Sequence, residues 1–540
     1  MESKVSRRGF VSAAGVTMGV AIGSRAAAAP AQSALEASQL DASDVVGLQA
    51  EMTAGRLNSL ALTRHYLKRI AAVDRRGPSL HAVIELNPDA LAQARVLDAE
   101  RRAKTGAGLR GPLHGIPVLI KDNIATADKM ATTAGSLALA GLNAKADAHI
   151  VVRLRAAGAV ILGKTNLSEW ANIRSSRSSS GWSSRGGQTR NPHVLDRSPA
   201  GSSSGSGAAA AAGLAALTVG TETDGSIISP SNCCGIVGFK PTVGLVSRSG
   251  IIPISASQDT AGPMVRHVRD AALLLQVLAG PDPQDGATAA QPAEPMDYAA
   301  ALRNDSLKGA RLGVVRSALP NQPGVAACFE AALAVLRAQG AVLIDPLEIP
   351  SRDKLREPEF SVLLHELKDG LAKYLAAYQP DAAVKTLADV IAWNKTHEQQ
   401  AMPIFAQETF DRAEATAGLD APAYREALAS CRRLSREQGI DAVFAEHGLD
   451  AVIGPSGSVA WPIDQVLGDR SGGGGFGSVF AVAGYPHLTV PMGFVSGLPT
   501  GLSIAGVAWQ DAKILSLGYA FEQASLCRRP PRFVREIGIV

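Results

Sequence analysis

Two glycine-rich segments carry serines at positions where a hydroxyl could act as a nucleophile. The first is AGSSSGSG, residues 200–207, and the second is GTETDGSIISP, residues 220–230. Segments of this composition are common as flexible loops, so composition alone assigns them no reaction. A serine attacks a carbonyl carbon only when a nearby base removes its proton. The chemistry of these segments therefore depends on which side chain could be that base.

Histidine, the usual base beside a catalytic serine, has no convincing candidate here. None of the ten histidines is placed with a partner near a G-x-S-x-G elbow. Lys121 is the alternative, because it directly follows the apolar run IPVLI and would enter the interior from a buried strand end. A neutral lysine requires its pKa to fall from about 10.4 by roughly 3 units, which burial can provide. An ordinary lysine with its charged end in water is the competing interpretation.

The second serine segment also offers backbone donors. Acyl transfer places negative charge on the carbonyl oxygen, and successive N–H groups beside the nucleophile can stabilise it. Thr223, Asp224, Gly225 and Ser226 lie on a predicted glycine turn, so we expect their N–H groups to form an oxyanion hole. A Gly-Ser turn is frequent in proteins and is weak evidence when taken alone.

Short apolar runs alternate with segments of helical periodicity, which predicts an α/β protein whose sheet is covered by helices. Strands are expected in 115–124, 159–164, 310–315, 449–456, 483–493 and 501–509. Helices are expected in 43–75 (two, with a turn), 87–104, 147–157, 325–339 and 407–437, and an alanine-rich helix begins near 205. The glycine-rich stretch 471–478 is expected to be a loop, and it is a candidate lid.

The N-terminus has the layout of an export signal. Arg7 and Arg8 form a twin-arginine pair, a mild apolar run covers roughly residues 10–23, and small residues follow around Ala28. The apolar run is too short to span a bilayer. We expect residues 1–28 to be a twin-arginine signal peptide and the mature protein to be periplasmic or secreted. A disordered basic tail is the alternative.

Charge and cysteine content exclude several classes of function. The net charge is +4, and loss of residues 1–28 would leave the chain nearly neutral, which gives no electrostatic case for nucleic acid or membrane binding. The five cysteines are scattered without a C-x-x-C pair, so the sequence supports neither a zinc site nor a redox motif. Adjacent Cys233 and Cys234 are expected to be small packing residues.

Taken together, GIPVLIKDN, AGSSSGSG and GTETDGSIISP resemble the amidase signature family of serine hydrolases. The spacing from Ser202 to Ser226 matches the family, and GAVILGKTNLSEWAN, GFKPTVGL, SQDTAGPM and GYPHLTVPMG are similar to family blocks in family order. The resemblance implies the amidase signature fold, a large central mixed β-sheet covered by α-helices on both faces. It implies a single catalytic domain over residues 43–535.

The resemblance also assigns roles. Ser226 would be the nucleophile, Lys121 the general base, and Ser202 the bridging serine, held by a cis peptide bond after Gly201. Ser203 would support the site through hydrogen bonds, and no metal or organic cofactor is implied. Three departures from the family pattern are visible: Ala200 and Asp224 each replace a glycine, and Ile228 replaces an arginine. None of them removes a catalytic side chain.

Within the family, GPLHGIPVLIKDN, NLSEWAN, GWSSRGGQTRNP and GTETDGSI resemble the corresponding segments of bacterial peptide amidases, which release ammonia from the C-terminal carboxamide of peptides. That implies a peptide or small-molecule amide substrate, a small blind pocket for ammonia and a monomeric protein. A broad amidase acting on aryl or aliphatic amides is the main alternative. A glutamine-amidase subunit of a tRNA-dependent amidotransferase and an exported amide binder without activity are further alternatives.

Overall fold

A computed structural model describes residues 37–103, 109–294 and 296–538, which belong to one compact unit. The predicted signal peptide, residues 1–28, lies outside the described residues. The α-helices are α1 Ala37–Ala42, α2 Val45–Thr53, α3 Ser59–Arg69, α4 Ala90–Ala103, α5 His149–Ala156, α6 Ser204–Ala211, α7 Ile228–Cys234, α8 Val268–Leu278, α9 Pro323–Ala338, α10 Arg356–Tyr378, α11 Leu387–Thr396, α12 Glu398–Ala401, α13 Glu408–Glu414, α14 Pro422–Arg432, α15 Asp441–His447, α16 Gly477–Ala483 and α17 Asp511–Ser525.

The strands are interspersed with these helices along the chain. They are β1 Val83–Leu86, β2 Pro117–Lys121, β3 Val160–Thr165, β4 Trp182–Ser183, β5 Gly187–Gln188, β6 Leu217–Glu222, β7 Val237–Lys240, β8 Thr260–Val265, β9 Arg311–Val314, β10 Val342–Ile344, β11 Ala451–Pro455, β12 His487–Val495 and β13 Leu498–Ala505. Short 3₁₀ helices cover Leu137–Leu139, Glu169–Asn172, Gly286–Ala290, Arg316–Ala318 and Arg352–Lys354, and π-helical turns cover Ile70–Asp74 and Arg433–Ile440.

Eleven of the described strands form one mixed sheet in the order β1-β3-β2-β6-β8-β7-β12-β13-β11-β9-β10. The pairs β2–β3, β2–β6, β9–β10 and β9–β11 are parallel, and the other pairs are antiparallel. Every residue of β2 and β6 is buried, which explains the apolar sequence of β2 before its terminal lysine, whereas β6, LTVGTE, also buries two threonines and a glutamate. The predicted α/β class with a large mixed sheet is confirmed.

The central strands bring the sequence segments of interest together. Strand β2 ends at Lys121, and its parallel neighbour β6 leads into the turn that carries Ser226. Helix α6 begins two residues after Ser202 and packs against β6, β2 and β3. Close packing there depends on Gly205, since a Cβ at this position would lie 2.3 Å from Ala82 O and 2.4 Å from Asn166 O.

Most predicted elements are present, but β1, α7, β7 and β8 in the first half of the chain were not predicted, and further differences lie in the second half. The two helices predicted in 43–75 are α2 and α3, with Gly55 at φ 72° in the turn between them. The helix expected over 407–437 is broken into α13, α14 and a π-helical turn. Helices α10 and α11 lie in a region where no element was predicted. Among the described residues, no helix has the length and apolar character to cross a bilayer.

Candidate active site

Lys121 is fully buried at the end of β2, as predicted. Its Nζ lies 2.8 Å from Ser202 Oγ, 2.9 Å from Thr221 Oγ1 and 3.4 Å from Thr221 O. Burial lowers the pKa of Lys121 to about 7, against the opposing influence of the Asp259 and Glu222 charges. A substantial fraction of this amine is therefore neutral near pH 7, and it lies within hydrogen-bonding reach of a serine hydroxyl.

Ser202 is also fully buried, at the start of the chain segment that enters α6. The peptide bond between Gly201 and Ser202 is cis, as the family resemblance implies. Position 201 has no room for a side chain, since an added Cβ would lie 2.3 Å from Ser168 Oγ. The backbone is thus packed closely at this position, next to the Ser202 hydroxyl that contacts the lysine amine.

Ser226 follows the turn after β6 and is 9% exposed. In the described part of the chain, no protein group forms a hydrogen bond with its hydroxyl, so Oγ is available to a substrate. Its carbonyl oxygen accepts a 3.2 Å hydrogen bond from Ser203 N. Gly225 precedes it at φ 75°, a left-handed conformation that favours glycine. The three predicted catalytic residues therefore lie on adjacent segments of one buried centre.

The turn itself presents free amides. Within the described ranges, no protein group accepts a hydrogen bond from the N–H groups of Asp224, Gly225 or Ser226. The Thr223 hydroxyl donates to Asp259 Oδ1 at 2.6 Å, and its carbonyl oxygen accepts from Gln258 Nε2 at 3.4 Å. The turn is thus held from the outside while its amides remain available, as an oxyanion hole requires.

Glu222, which sequence reasoning missed, supports the turn from the other side. Its Oε2 accepts hydrogen bonds from Ile227 N at 2.7 Å and Ile228 N at 3.0 Å. This carboxylate occupies the N-terminus of α7, where a negative charge is favourable. Its contact is with the backbone of Ile228, so the family arginine at that position is not needed for this support.

Ser203 and Thr221 join the two serine segments. Ser203 Oγ donates to Thr221 O at 2.9 Å and accepts from Thr221 N at 3.2 Å, which is the supporting arrangement expected of it. Thr221 Oγ1 also accepts from Asn123 Nδ2 at 3.0 Å. Sequence reasoning missed Thr221 and Asn123, although both lie in the quoted motifs GTETDGS and IKDN. Ser204, the first residue of α6, donates from Oγ to Ala200 O at 2.6 Å and so links the helix to the preceding segment.

Two cavities flank the turn, and we name them by the side on which they lie. The lysine-side cavity, about 370 Å³, contacts Asn123, Thr221 and Thr223. The turn-side cavity, about 710 Å³, contacts Asp224 and Gly225. Its other wall includes Ser229, Glu359, Trp461 and most of the glycine loop 471–478. That the loop acts as a lid stays a prediction.

The turn-side cavity contains two carboxyl groups in an unusual state. Burial raises the pKa of both Asp224 and Glu359, and a neighbouring negative charge adds to each shift, that of Glu222 on Asp224 and that of Asp224 on Glu359. Asp224 is hydrogen-bonded to the Ser478 side chain, and Glu359 accepts from Gln258 Nε2 at 2.9 Å. These two side chains therefore present a polar wall of reduced charge beside the predicted oxyanion hole.

Several other histidine, tryptophan and cysteine side chains lie outside the candidate site. His114 is buried, and its Nε2 lies 3.0 Å from Leu97 O. Trp170 and Trp182 pack edge-on against Phe410 and Phe405, respectively, and neither lines the two cavities. All five cysteines lie in described ranges as free thiols. Among the described residues, no three His, Cys, Asp or Glu side chains are grouped so as to hold a metal ion.

Comparison with known proteins decides the family. The family model described as Amidase matches residues 61–515, which is most of the chain. The chain belongs to the amidase signature family. It is similar to the native peptide amidase of Stenotrophomonas maltophilia, with 53% identity and a TM-score of 0.87 over 91% of this chain and 99% of that structure.

Curated relatives agree with this assignment. A probable amidase of Arabidopsis thaliana is 43% identical over 89% of each chain. A glutamyl-tRNA(Gln) amidotransferase chain of Symbiobacterium thermophilum is 36% identical over 87% of this chain and 94% of that relative. This amidase is therefore an enzyme that hydrolyses amide C–N bonds.

Proposed function

We propose that this amidase hydrolyses the C-terminal carboxamide of peptides to the free acid and ammonia, using Lys121, Ser202 and Ser226. One observation carries the mechanism: the lowered-pKa amine of Lys121 lies 2.8 Å from the Ser202 hydroxyl, beside a serine whose hydroxyl has no partner among the described residues. The substrate is supported by the 53% identity to a peptide amidase over nearly the whole of that structure.

The proposed proton path runs from Ser226 through Ser202 to Lys121, and the Lys121–Ser202 contact supports its second step. Neutral Lys121 takes a proton from Ser202 while Ser202 takes one from Ser226, and Ser226 Oγ forms a bond to the amide carbon. The protons return along the same path to the amide nitrogen, the C–N bond breaks, and ammonia leaves. Water then attacks the acyl-Ser226 ester by the same route and releases the acid.

The remaining parts of the site have matching tasks. The amides of residues 223–226 stabilise the oxyanion of each tetrahedral intermediate. Ser203 and Glu222 position the two serine segments through their backbone contacts. The turn-side cavity holds the acyl part of the substrate, and its volume of about 710 Å³ falls in the ~300–1,000 Å³ range of small-molecule pockets.

The test is mass spectrometry of a C-terminally amidated peptide incubated with purified protein, in parallel with the Ser226→Ala variant. We expect a gain of about one mass unit as the amide becomes an acid, without internal cleavage, and nearly complete loss of this reaction in the variant. Hydrolysis of small aryl amides with the peptide unchanged would favour the broad amidase. Full turnover by Ser226→Ala would refute the assignment of Ser226 as the nucleophile.

We also propose that Arg7 and Arg8, in the N-terminal segment, direct export of the folded enzyme out of the cytoplasm. Fractionation of cells producing the full chain is expected to place wild-type protein outside the cytoplasm and an Arg7→Lys/Arg8→Lys variant inside it. Equal distributions would contradict the proposal.

A further inference from the structure

We propose that Asp224 and Glu359 form a binding site for the N–H group of the residue that carries the scissile carboxamide, so that peptide amides and N-acylated amino acid amides are preferred over amides without this N–H. The inference rests on the proposed function, because it assumes that Ser226 attacks the carbonyl carbon and that the turn-side cavity holds the acyl part. It deepens that function by naming the side chains that would distinguish a peptide amide from a simple carboxamide.

Asp224 belongs to the turn that would hold the scissile carbonyl group. Its backbone N–H is one of the predicted oxyanion-hole donors, and the residue also lines the turn-side cavity. In a peptide amide, the N–H nitrogen is bonded to the carbon next to the carbonyl carbon, so it stays close to the carbonyl oxygen in every conformation. A carbonyl oxygen bound by the turn therefore brings this N–H close to Asp224.

Glu359 lines the same cavity from helix α10 and is joined to the turn by a hydrogen-bonded glutamine. Glu359 is only 8% exposed, and its Oε1 accepts from Gln258 Nε2 at 2.9 Å. The same Nε2 donates to Thr223 O, in the turn, at 3.4 Å. No group in the described part of the chain donates a hydrogen bond to the second carboxyl oxygen, Glu359 Oε2.

The two carboxyl groups have acceptor capacity that the protein does not use. A carboxylate has two oxygens and can accept several hydrogen bonds. Asp224 is hydrogen-bonded to the Ser478 side chain, and neither Asp224 nor Glu359 forms an ion pair with a described lysine or arginine. Polar groups in such surroundings are nearly always hydrogen-bonded, so a donor supplied by a bound molecule would stabilise this pair.

The rest of the wall favours a neutral donor over a cation. Arg352 and Arg356 also line the turn-side cavity. Arg352 lies 3.4 Å from Asp353, whereas Arg356 has no ion-pair partner within the described ranges. An ammonium group, as on a free amino acid amide, would be repelled by these guanidinium groups. A peptide N–H supplies a donor without adding a charge.

The contact would therefore select the acyl part of the substrate. A peptide amide donates its N–H to the carboxyl pair, whereas an amide that lacks this group leaves the pair without a donor in the complex. The scissile carboxamide and the oxyanion hole are the same in both cases. The bonds that form and break are thus unchanged, and only the preference between substrates depends on the pair.

The experiment compares two substrates that differ in this N–H alone. The first is N-acetylphenylalanine amide, and the second is the amide of O-acetyl-3-phenyllactic acid, in which an ester oxygen replaces the N–H. Released ammonia is measured, so that only hydrolysis of the carboxamide is counted.

The informative variant is Asp224→Ala, which keeps the backbone N–H of the turn and removes the carboxyl group. Asp224→Asn is a second variant, which keeps an acceptor oxygen and removes the charge. Glu357→Ala is the matched control, because Glu357 is an exposed carboxylate on α10 that does not line the cavity.

We expect kcat/KM of wild type to be higher for the N-acetyl substrate by about 10- to 100-fold, the usual contribution of a hydrogen bond to a charged group. Asp224→Ala should remove most of this preference, Asp224→Asn should reduce it, and Glu357→Ala should retain it. Because both substrates use the same oxyanion hole, a general disturbance of the turn would lower both rates and leave their ratio unchanged.

A wild-type ratio near one, or a wild-type ratio retained in Asp224→Ala, would overturn the inference and leave the proposed function standing. If Asp224→Ala does not fold, the ratio in Asp224→Asn decides, and an unchanged value there would equally overturn the inference. Failure of wild type to hydrolyse N-acetylphenylalanine amide would refute the proposed function itself.

Discussion

Lys121 and Lys164 lie on neighbouring parallel strands, β2 and β3, and both are fully buried. Burial lowers the pKa of Lys121 to about 7 and that of Lys164 to about 8. Their surroundings nevertheless differ, because Lys121 is paired in register with Thr165 whereas Lys164 is paired with Ile120. Successive side chains on a strand point to opposite faces, so the two amines emerge on opposite faces of the sheet.

The difference between the two lysines lies in what each amine contacts. Lys164 Nζ donates to Ile124 O at 2.5 Å and to Thr132 Oγ1 at 2.8 Å, and neither partner leads to a serine of the catalytic segments. Lys121 Nζ contacts Ser202. Burial therefore favours the neutral form of both lysine amines, but only Lys121 contacts a serine hydroxyl from which it could take a proton.

The largest expected effect separates the two lysines directly. Lys121→Met should lower kcat by about 10²- to 10⁴-fold, the usual contribution of a general base, while the folded state persists because methionine fills the same buried space. Lys164→Met should keep kcat within about tenfold and change the melting temperature instead, because its loss leaves Ile124 O and Thr132 without their donor. Steady-state kinetics and thermal unfolding of both variants provide the measurement. Equal losses of kcat in the two variants would contradict the assignment of Lys121, and not Lys164, as the base.

A smaller effect is expected at Glu222, whose charge raises the pKa of Lys121 while its Oε2 holds the turn. Glu222→Gln keeps an acceptor oxygen and removes the charge, so the kinetic pKa assigned to Lys121 should move to lower pH with a modest change in kcat. Glu222→Ala loses both functions and should reduce kcat further, by about 10- to 100-fold, less than the ~10²- to 10³-fold cost of removing an oxyanion-hole donor itself, because Glu222 positions the donors indirectly. A kinetic pKa that rises in Glu222→Gln would show that this charge does not act on the base.

The smallest effect concerns stability. Because the folded-state pKa of Lys164 is about 8 and the unfolded value is about 10.4, the unfolded chain binds more protons between these values, and stability rises with pH there. Lys164→Met removes this contribution, so its free energy of unfolding should rise less between pH 8 and 10 than that of wild type. Urea titrations at these two pH values measure the difference, and parallel pH dependences would contradict it.

Much of the catalytic centre could be predicted from the sequence because its signals are local. The apolar run before Lys121 predicts a buried strand end, and glycine beside Ser202 and Ser226 predicts tight turns. Thr221, Glu222 and Asp259 could not be assigned their tasks in the same way. Their contacts are with backbone atoms or side chains that only the fold brings together, such as Thr223 with Asp259.

The missed helix α10 shows a second limit. Its buried positions include the polar residues Glu359, His365 and Glu366, so the apolar periodicity that predicts a helix is weak. The two carboxylates are stabilised by distant partners: Glu366 accepts from Ser255 and Ser257, and Glu359 from Gln258. The periodicity of a sequence reveals buried apolar side chains. Polar side chains that are buried because distant residues hydrogen-bond to them leave no periodic pattern in the local sequence.

The central claim is that neutral Lys121 acts as the base for Ser226 through Ser202. The most direct measurement is the pH dependence of kcat/KM for an amidated peptide in wild type and in Lys121→Met. If Lys121 is the base, the wild-type rate rises with pH through about 7, as Lys121 loses its proton, and then levels off. In Lys121→Met this ionisation should be absent. The same ionisation in both proteins would contradict the assignment of Lys121 as the base.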